Sequence, residues 1–456
     1  MTNKFKYSEH IFVSEGVYFK NGSLPIKLIY SGRSGELVAI RYNDIKLITD
    51  KKIPPLESKL FNSLHKAEII IDNKENDLDA IIERNQKFIQ NPNYLNFVIL
   101  PSSFCNMGCS YCGQAHSKGA MNEKVVKETI ARIESAIQMM QPQEVSVSWF
   151  GGEPLVGYSR ILQISRHLID IVTEKSINLR AKLVTNGSLL TMAKLIELHE
   201  TCKIEEINLT FDGDADIHDK RRILKNGNDN FIKTTSLIQA ALKEPRLKNL
   251  RYIFRTNIDK QNEAHVDQYI QKMFELGFND KRIGFELKAV YPWSNDVSSV
   301  QLEKKHFAQL EVDWMLQLLR LGMEYTFLLK KNEVTCVAVS PYSEVISTNG
   351  KIFTCTEHPL VPQHELQDFV SSTNLKWENR SGKGKFDNFN QKILSKKIPC
   401  ASCKLLGVCG GACPKHWDEG NIPCPSIKFN LQDRLNLVAV KMGYQVITET
   451  EFKRLC

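Results

Sequence analysis

Cys105, Cys109 and Cys112 lie within one short stretch, Cys105-Asn-Met-Gly-Cys109-Ser-Tyr-Cys112. A closed zinc or iron–sulfur site takes four protein ligands. Three thiols at spacings x3 and x2 therefore predict a metal centre with one position left open, where chemistry can occur. On spacing alone, a structural zinc site completed by a distant ligand such as His116 is the competing reading. A second cysteine field follows much later: Cys336, Cys355, then Cys400-x2-Cys403-x5-Cys409-x3-Cys413, then Cys424. Cys202 and the terminal Cys456 stand apart. The first residues, Met1-Thr-Asn-Lys-Phe-Lys-Tyr, lack the apolar core of a signal peptide. A cytoplasmic protein is expected, and its twelve clustered cysteines read as metal ligands rather than disulfides.

Elements must hold those thiols. From 95 to 300 the pattern alternates. Strand-like runs are Leu95–Leu100, Val145–Phe150, Leu179–Val184, Glu206–Phe211, Leu250–Phe254 and Ile283–Leu287, separated by helix-like segments. Six strands alternating with helices predict an α/β fold, a parallel sheet or partial barrel. In such folds function gathers at the C-terminal ends of the strands. The three cysteines follow strand one, Gly151-Gly152-Glu153-Pro154 follows strand two, Thr185-Asn186-Gly187 strand three and Asp212-Gly213 strand four. Residues 1–94 hold no cysteine and read as a small winged-helix-like α+β module, with strands at Ile11–Val13, Val17–Phe19, Ile26–Tyr30 and Leu37–Tyr42 and a helix over 77–89. Residues 301–335 read as a bridge with an amphipathic helix over 303–329. Residues 336–428 form the cysteine-dense region, with a hairpin at Asn349-Gly350, and 429–456 a helix and tail.

The triplet, with Tyr111 before its last cysteine, resembles the cluster motif of the radical S-adenosylmethionine enzymes. Gly151-Gly152-Glu153-Pro154 is similar to that family's GGE(P) motif, and Thr185-Asn186-Gly187 to its third-strand motif. Thr210-Phe-Asp212-Gly, followed by His218-Asp-Lys-Arg-Arg222, resembles the S-x-D-G…H-D-x-x-R of its peptide-modifying members, with Thr210 keeping the serine's hydroxyl. The resemblance implies a partial (β/α)6 TIM-like barrel. It also implies a [4Fe–4S] cluster on Cys105, Cys109 and Cys112 whose free iron chelates S-adenosylmethionine and generates a 5′-deoxyadenosyl radical. Gly151 and Gly152 would let backbone approach the bound methionine amine, and Glu153 would face its ammonium. Tyr111, Pro154, Asn186, Thr210, Asp212 and Arg222 would line the same cofactor site.

The second field resembles the seven-cysteine SPASM domain, which binds two auxiliary clusters. The implied assignment is interleaved: Cys400, Cys403, Cys409 and Cys424 hold one, and Cys336, Cys355 and Cys413 part of the other. Residues 325–335 contain no cysteine for the missing fourth ligand. That cluster is thus expected to have an open iron or to recruit Cys456 or Cys202. Sulfatase-maturing relatives carry an Asp after the cysteine matching Cys355. Here Thr356-Glu357-His358 follows, which leaves Glu357 or His358 as the candidate base. Cys202 and Cys456 are candidate hydrogen-atom donors, as an epimerase would need.

These resemblances imply a precursor peptide as substrate and flavodoxin or ferredoxin as electron donor. The expected product is a thioether, C–C or C–O crosslink; sulfatase-type Cys/Ser oxidation, epimerisation and a non-catalytic iron–sulfur scaffold are the alternatives. The net charge of +8 is dispersed rather than gathered in one stripe, so no nucleic acid is expected. No run approaches the apolar length of a membrane span, so no membrane partner is expected.

Overall fold

The computed structural model describes residues 4–451 apart from 118, 294, 366 and 367. All six strand-like runs are strands: Tyr94–Ile99, Glu144–Trp149, Asn178–Thr185, Ile204–Thr210, Arg251–Ile258 and Ile283–Ala289. They are called here the first to sixth barrel strands. Each pairs in parallel with the next. Helices Glu123–Met140, Tyr158–Glu174, Met192–Glu200, Phe231–Ala241 and Val266–Glu275 fill the crossovers. Asn122 and Thr191 start two of them by accepting the Val125 and Lys194 amides. Their inner faces (Ile133, Ile137, Leu195, Leu198, Ile270) pack on Val147, Leu183, Ile207 and Phe254 of the strands. Each such buried side chain contributes about 1.5–3 kcal/mol, and this packing fixes the strand ends from which the functional loops spring.

The sheet does not stop at six strands. Glu324–Tyr325 adds beside the sixth, and Ser343–Ile346 adds in parallel beside the first. Lys351–Phe353 and Phe369–Ser372 continue it antiparallel, to ten strands in all. The sheet thus runs past residue 336, so the C-terminal cysteine region is built onto the barrel edge. Arg132 locks the join with two bonds to Glu344, at 2.8 and 2.7 Å, with both side chains buried. The hairpin turn falls at Asn349-Gly350. Gly350 has φ +78°, and a Cβ there would sit 2.6 Å from Thr373 Oγ1.

Two sequence expectations need correction. The helix expected over 303–329 is Lys304–Arg320, because Gly322 adopts φ +67° and stops it in a left-handed C-terminal turn. The tail expected after the last helix, Ile427–Lys441, contains a strand, Gln445–Ile447, paired antiparallel with Val17–Phe19. Three residues show no period, and their partner lies at the far end of the chain. That strand joins a sheet of Ile11–Val13, Val17–Phe19, Ile26–Ser31 and Leu37–Arg41. Phe5–Tyr7 pairs separately with Ile70–Asp72, and helices Lys59–Lys66 and Asp77–Ile89 complete this N-terminal part. Among the described residues, no helix is long and apolar enough to cross a membrane.

Candidate active site

The loop after the second strand clamps the cysteine loop after the first. The Gly152 and Glu153 amides donate to the Ser102 and Phe104 carbonyls at 3.3 and 2.8 Å. Gly151 has φ +122°, and a Cβ on it would lie 2.7 Å from the Ser102 carbonyl oxygen. A Cβ on Gly152 would lie 2.7 Å from the Phe104 carbonyl and 3.0 Å from the Cys105 amide nitrogen. The sequence assigned these glycines to the approach of a bound amine. Their bare backbone is instead used against the chain's own cysteine loop.

Glu153 is likewise engaged within the chain. Its carboxylate is fully buried and accepts from the Leu155 amide (3.0 Å), the Thr185 hydroxyl (2.7 Å) and the Asn186 amide (2.8 Å). It ties the ends of the second and third strands together, and buried Pro154 opens the single 3-10 turn Pro154–Gly157 behind it. Burial pushes the carboxyl upward and the three donors pull it back; burial is the larger effect.

Asn186 reaches across the rim. Its side-chain amide donates to Asn106 at 2.9 Å and stands 3.9 Å from Cys105 Sγ. The Lys225 ammonium donates to the Cys105 carbonyl at 2.8 Å. The Thr210 hydroxyl has no partner among the described residues and stands at the rim end of the fourth strand. Next to it Asp212, 1% exposed, accepts from the Tyr111 hydroxyl at 2.5 Å and from the Asn257 amide at 3.1 Å. Arg222 donates to the same hydroxyl and lies 3.8 Å from Asp212. The Tyr111 ring therefore points into a polar seam at the barrel mouth, with the Arg221 guanidinium 5.3 Å from its centre. Arg221 is held by two 2.9 Å bonds to Asp259.

The three thiols stand together inside this frame. Burial raises each of them, Cys105 to about 11, and a charge on Cys109 acts on both Cys105 and Cys112. Among the described residues no three His, Cys, Asp or Glu side chains converge on a single metal ion. A cluster instead takes one thiolate per iron. Grouped, buried thiols framed by polar rim loops fit an iron–sulfur cluster with a polar cosubstrate next to it. His116 Nε2 is 4.0 Å from Cys112 Sγ.

The second field divides into two sets. Cys400, Cys403, Cys409 and Cys424 line one cavity with Trp417 and Lys428. Burial and their mutual charges raise Cys400 to about 12 and Cys409 to about 11. The Lys428 ammonium is 3.4 Å from Cys424 Sγ. Gly410, Gly411 and Ala412 all have left-handed φ, which turns Cys413 away from the Cys409 set. Cys413 acts instead on Cys336 and Cys355. Glu357 is where the fields meet: its charge acts on Cys112, Cys355 and Cys413. Burial raises its carboxyl, against the pull of Arg255 and Lys415.

Other candidates are not brought to the site. His358 is 1% exposed, and its Nδ1 lies 2.7 Å from Asp368, which also takes the Thr354 and Cys355 amides. It braces the Cys355 loop through this contact. Cys202 is buried in the barrel core just before the fourth strand begins, at the end opposite the cysteine rim. It is therefore neither a ligand nor a hydrogen donor. Cys456 lies outside the described residues. The sequence reading missed Asn257, Lys225 and the Arg221–Asp259 pair. Asn257 was findable, since it sits at the rim end of the fifth strand, where the rule applied to strands one to four also applies. Lys225 carried no signal, because its role depends on how a loop folds back.

Residues 99–273 match the Radical SAM superfamily profile, and the described residues form a mixed α/β fold with a parallel-rich central sheet. It is 24% identical over 84% of its length, and 80% of the relative's, to the radical SAM cyclopropyl synthase TigE of Paramaledivibacter caminithermalis. It is 22% identical to a cysteine-type anaerobic sulfatase-maturating enzyme of Clostridium novyi, over 77% of this chain and 99% of that protein. Among solved structures, native anSMEcpe with bound AdoMet and Cp18Cys peptide shares the fold, with TM-score 0.59 and 19% identity over 77% of this chain and 99% of that one.

Proposed function

We propose that this chain is a radical SAM enzyme that modifies a ribosomally made precursor peptide, abstracting a hydrogen atom from one residue and closing a thioether, C–C or C–O crosslink. The observation that supports the reading is that the Glu357 charge acts on Cys112 of the first cysteine field and on Cys355 and Cys413 of the second, so a radical-generating site there would stand beside a second redox site. Cys105, Cys109 and Cys112 would hold the SAM-binding [4Fe–4S] cluster. The Cys400, Cys403, Cys409 and Cys424 set and the Cys336, Cys355 and Cys413 set would hold two auxiliary clusters in a SPASM-type domain. Bound there, the clusters and S-adenosylmethionine supply reductive C–S cleavage to a 5′-deoxyadenosyl radical and an outlet for the electron left on the product.

The chain's own residues do the positioning. Gly151, Gly152 and Glu153 fix the cysteine loop by backbone bonds. Asn186 and Thr210 offer polar groups toward the cosubstrate, and the Tyr111–Asp212–Arg222 seam walls the mouth. Flavodoxin or ferredoxin would deliver electrons. The open edge of Phe5–Tyr7 lines a groove of about 1000 Å³ with Asp77 and Lys404, and an extended leader segment would add there as a strand. A sulfatase-maturase role has a relative to recommend it but no Asp after Cys355.

The test is co-expression with small peptides encoded beside the gene, read by mass spectrometry. A loss of two hydrogens, dependent on Cys105, is expected. Unmodified peptides, together with no 5′-deoxyadenosine from anaerobically reconstituted protein and a strong reductant, would overturn the reading.

A further inference from the structure

A chamber of about 350 Å³ opens at the rim ends of the fifth and sixth barrel strands, and Cys413 of the auxiliary set forms part of its wall. Three cations line it: Arg255, Lys288 and Lys304. Neither Lys288 nor Lys304 makes an ion pair among the described residues. Arg255 spends its Nε on Asn257 at 3.0 Å, leaving the outer nitrogens of its fork. Lys415, alongside, is already matched by two bonds to Glu419. No carboxylate lines the chamber; Glu357 lies outside its wall, and the Arg255 charge acts on it. Three cations and no carboxylate give the chamber wall a surplus of positive side chains. Arg255 and Lys304 are half-buried and Lys288 is exposed, so their charges are open to an anion that enters the chamber.

Aromatic rings fill the remaining wall. Trp293 and His416 meet edge to face at 4.7 Å, and the Lys304 ammonium lies 5.8 Å from the Tyr291 ring centre. Flat apolar faces beside forked donors suit a short side chain that ends in a carboxylate.

We propose that this chamber is a carboxylate subsite that takes an Asp or Glu side chain of the peptide substrate, and so selects where the rim chemistry falls. The inference rests on the peptide reading above and adds a substrate class to it. The cosubstrate's own carboxylate is the other possible source of the same chemistry, and the experiment separates the two.

Isothermal titration of the reconstituted holoenzyme with Nα-acetyl-glutamate N-methylamide and its aspartate counterpart is compared with the glutamine and asparagine versions. The acids are expected to bind at least about tenfold more tightly than the amides, as charge-assisted bonds to two or three cations require. Saturating S-adenosylmethionine should not displace them. Lys288→Met/Lys304→Met should lose the preference while iron content and S-adenosylmethionine binding stay as in the parent. Equal behaviour of acids and amides, measurable or not, overturns the proposal, as does displacement by S-adenosylmethionine. Acid preference without any peptide-dependent cleavage of S-adenosylmethionine upholds the subsite and counts against the peptide reading alone.

Discussion

The two cysteine fields are built on opposite principles. The Cys105–Cys112 loop carries three thiols and takes its shape from other parts of the barrel rim. Gly152 and Glu153 hold it by its backbone, Asn186 reaches Cys105 and Lys225 takes its carbonyl. The Cys400, Cys403, Cys409 and Cys424 set carries four thiols around one cavity, closed by its own short turns and by Trp417. A set of four leaves no position for another ligand, whereas three within a polar rim do. Under the proposed function the first field would carry the chemistry and the second would store electrons. The Cys336, Cys355 and Cys413 set lies between them, with three thiols and one carboxylate, Glu357.

The largest effect that separates the fields is expected from Gly152→Ala. The added Cβ meets backbone atoms of Phe104 and Cys105, which have no flexible end to yield. Formation of 5′-deoxyadenosine should fall by at least about tenfold through misplacement of the loop, while the Cys400 set keeps its iron. Equal iron loss from both fields would show that they are not independently framed.

Glu153→Gln comes next. It exchanges an acceptor-only group for one that must also donate, next to two amides and a hydroxyl. A stability loss of about 1–3 kcal/mol is expected from the mismatched donor, read as a lower midpoint in denaturant. An unchanged midpoint would mean that Glu153 does not tie the two loops.

His218 gives a smaller, pH-dependent effect at the same rim. Burial, with Arg222 beside it, holds the imidazole well below its ordinary value, and its Nδ1 accepts from the Asp212 amide at 3.3 Å. The unfolded chain therefore binds a proton first as pH falls through about 6.5, and stability is lost below that point. His218→Gln should flatten that acid limb in a pH series of melting curves. An unaltered limb would assign it to other groups.

The smallest effect is expected at Cys202. Cys202→Ala should cost about 1 kcal/mol of stability and leave turnover unchanged, because the residue lies at the far end of the barrel. Loss of turnover with normal folding would return it to the site.

The sequence carried the barrel well because each strand is a run of buried apolar residues with its own helix, so pattern alone places it. The Cys105, Cys109 and Cys112 group was also legible from its short spacings, whereas the interleaving of the second field came only from the resemblance. What the sequence could not carry is direction. Gly151 and Gly152 announce a close approach but not which backbone approaches. Glu153 announces a charge but not that Thr185 and Asn186 consume it. His358 beside Cys355 has the residue type of a base, and only the Asp368 contact shows that it is a brace. The Gln445–Ile447 strand and the Lys225 contact depend on partners hundreds of residues or a loop reversal away, and no local period records them.

The central claim is that the Cys105 field alone opens onto S-adenosylmethionine. It is tested most directly by iron content and 5′-deoxyadenosine formation in Cys105→Ala/Cys109→Ala/Cys112→Ala, reconstituted anaerobically beside the parent. The account predicts a fall from three clusters to two and no 5′-deoxyadenosine. Retained 5′-deoxyadenosine formation, or an unchanged iron count, would contradict it.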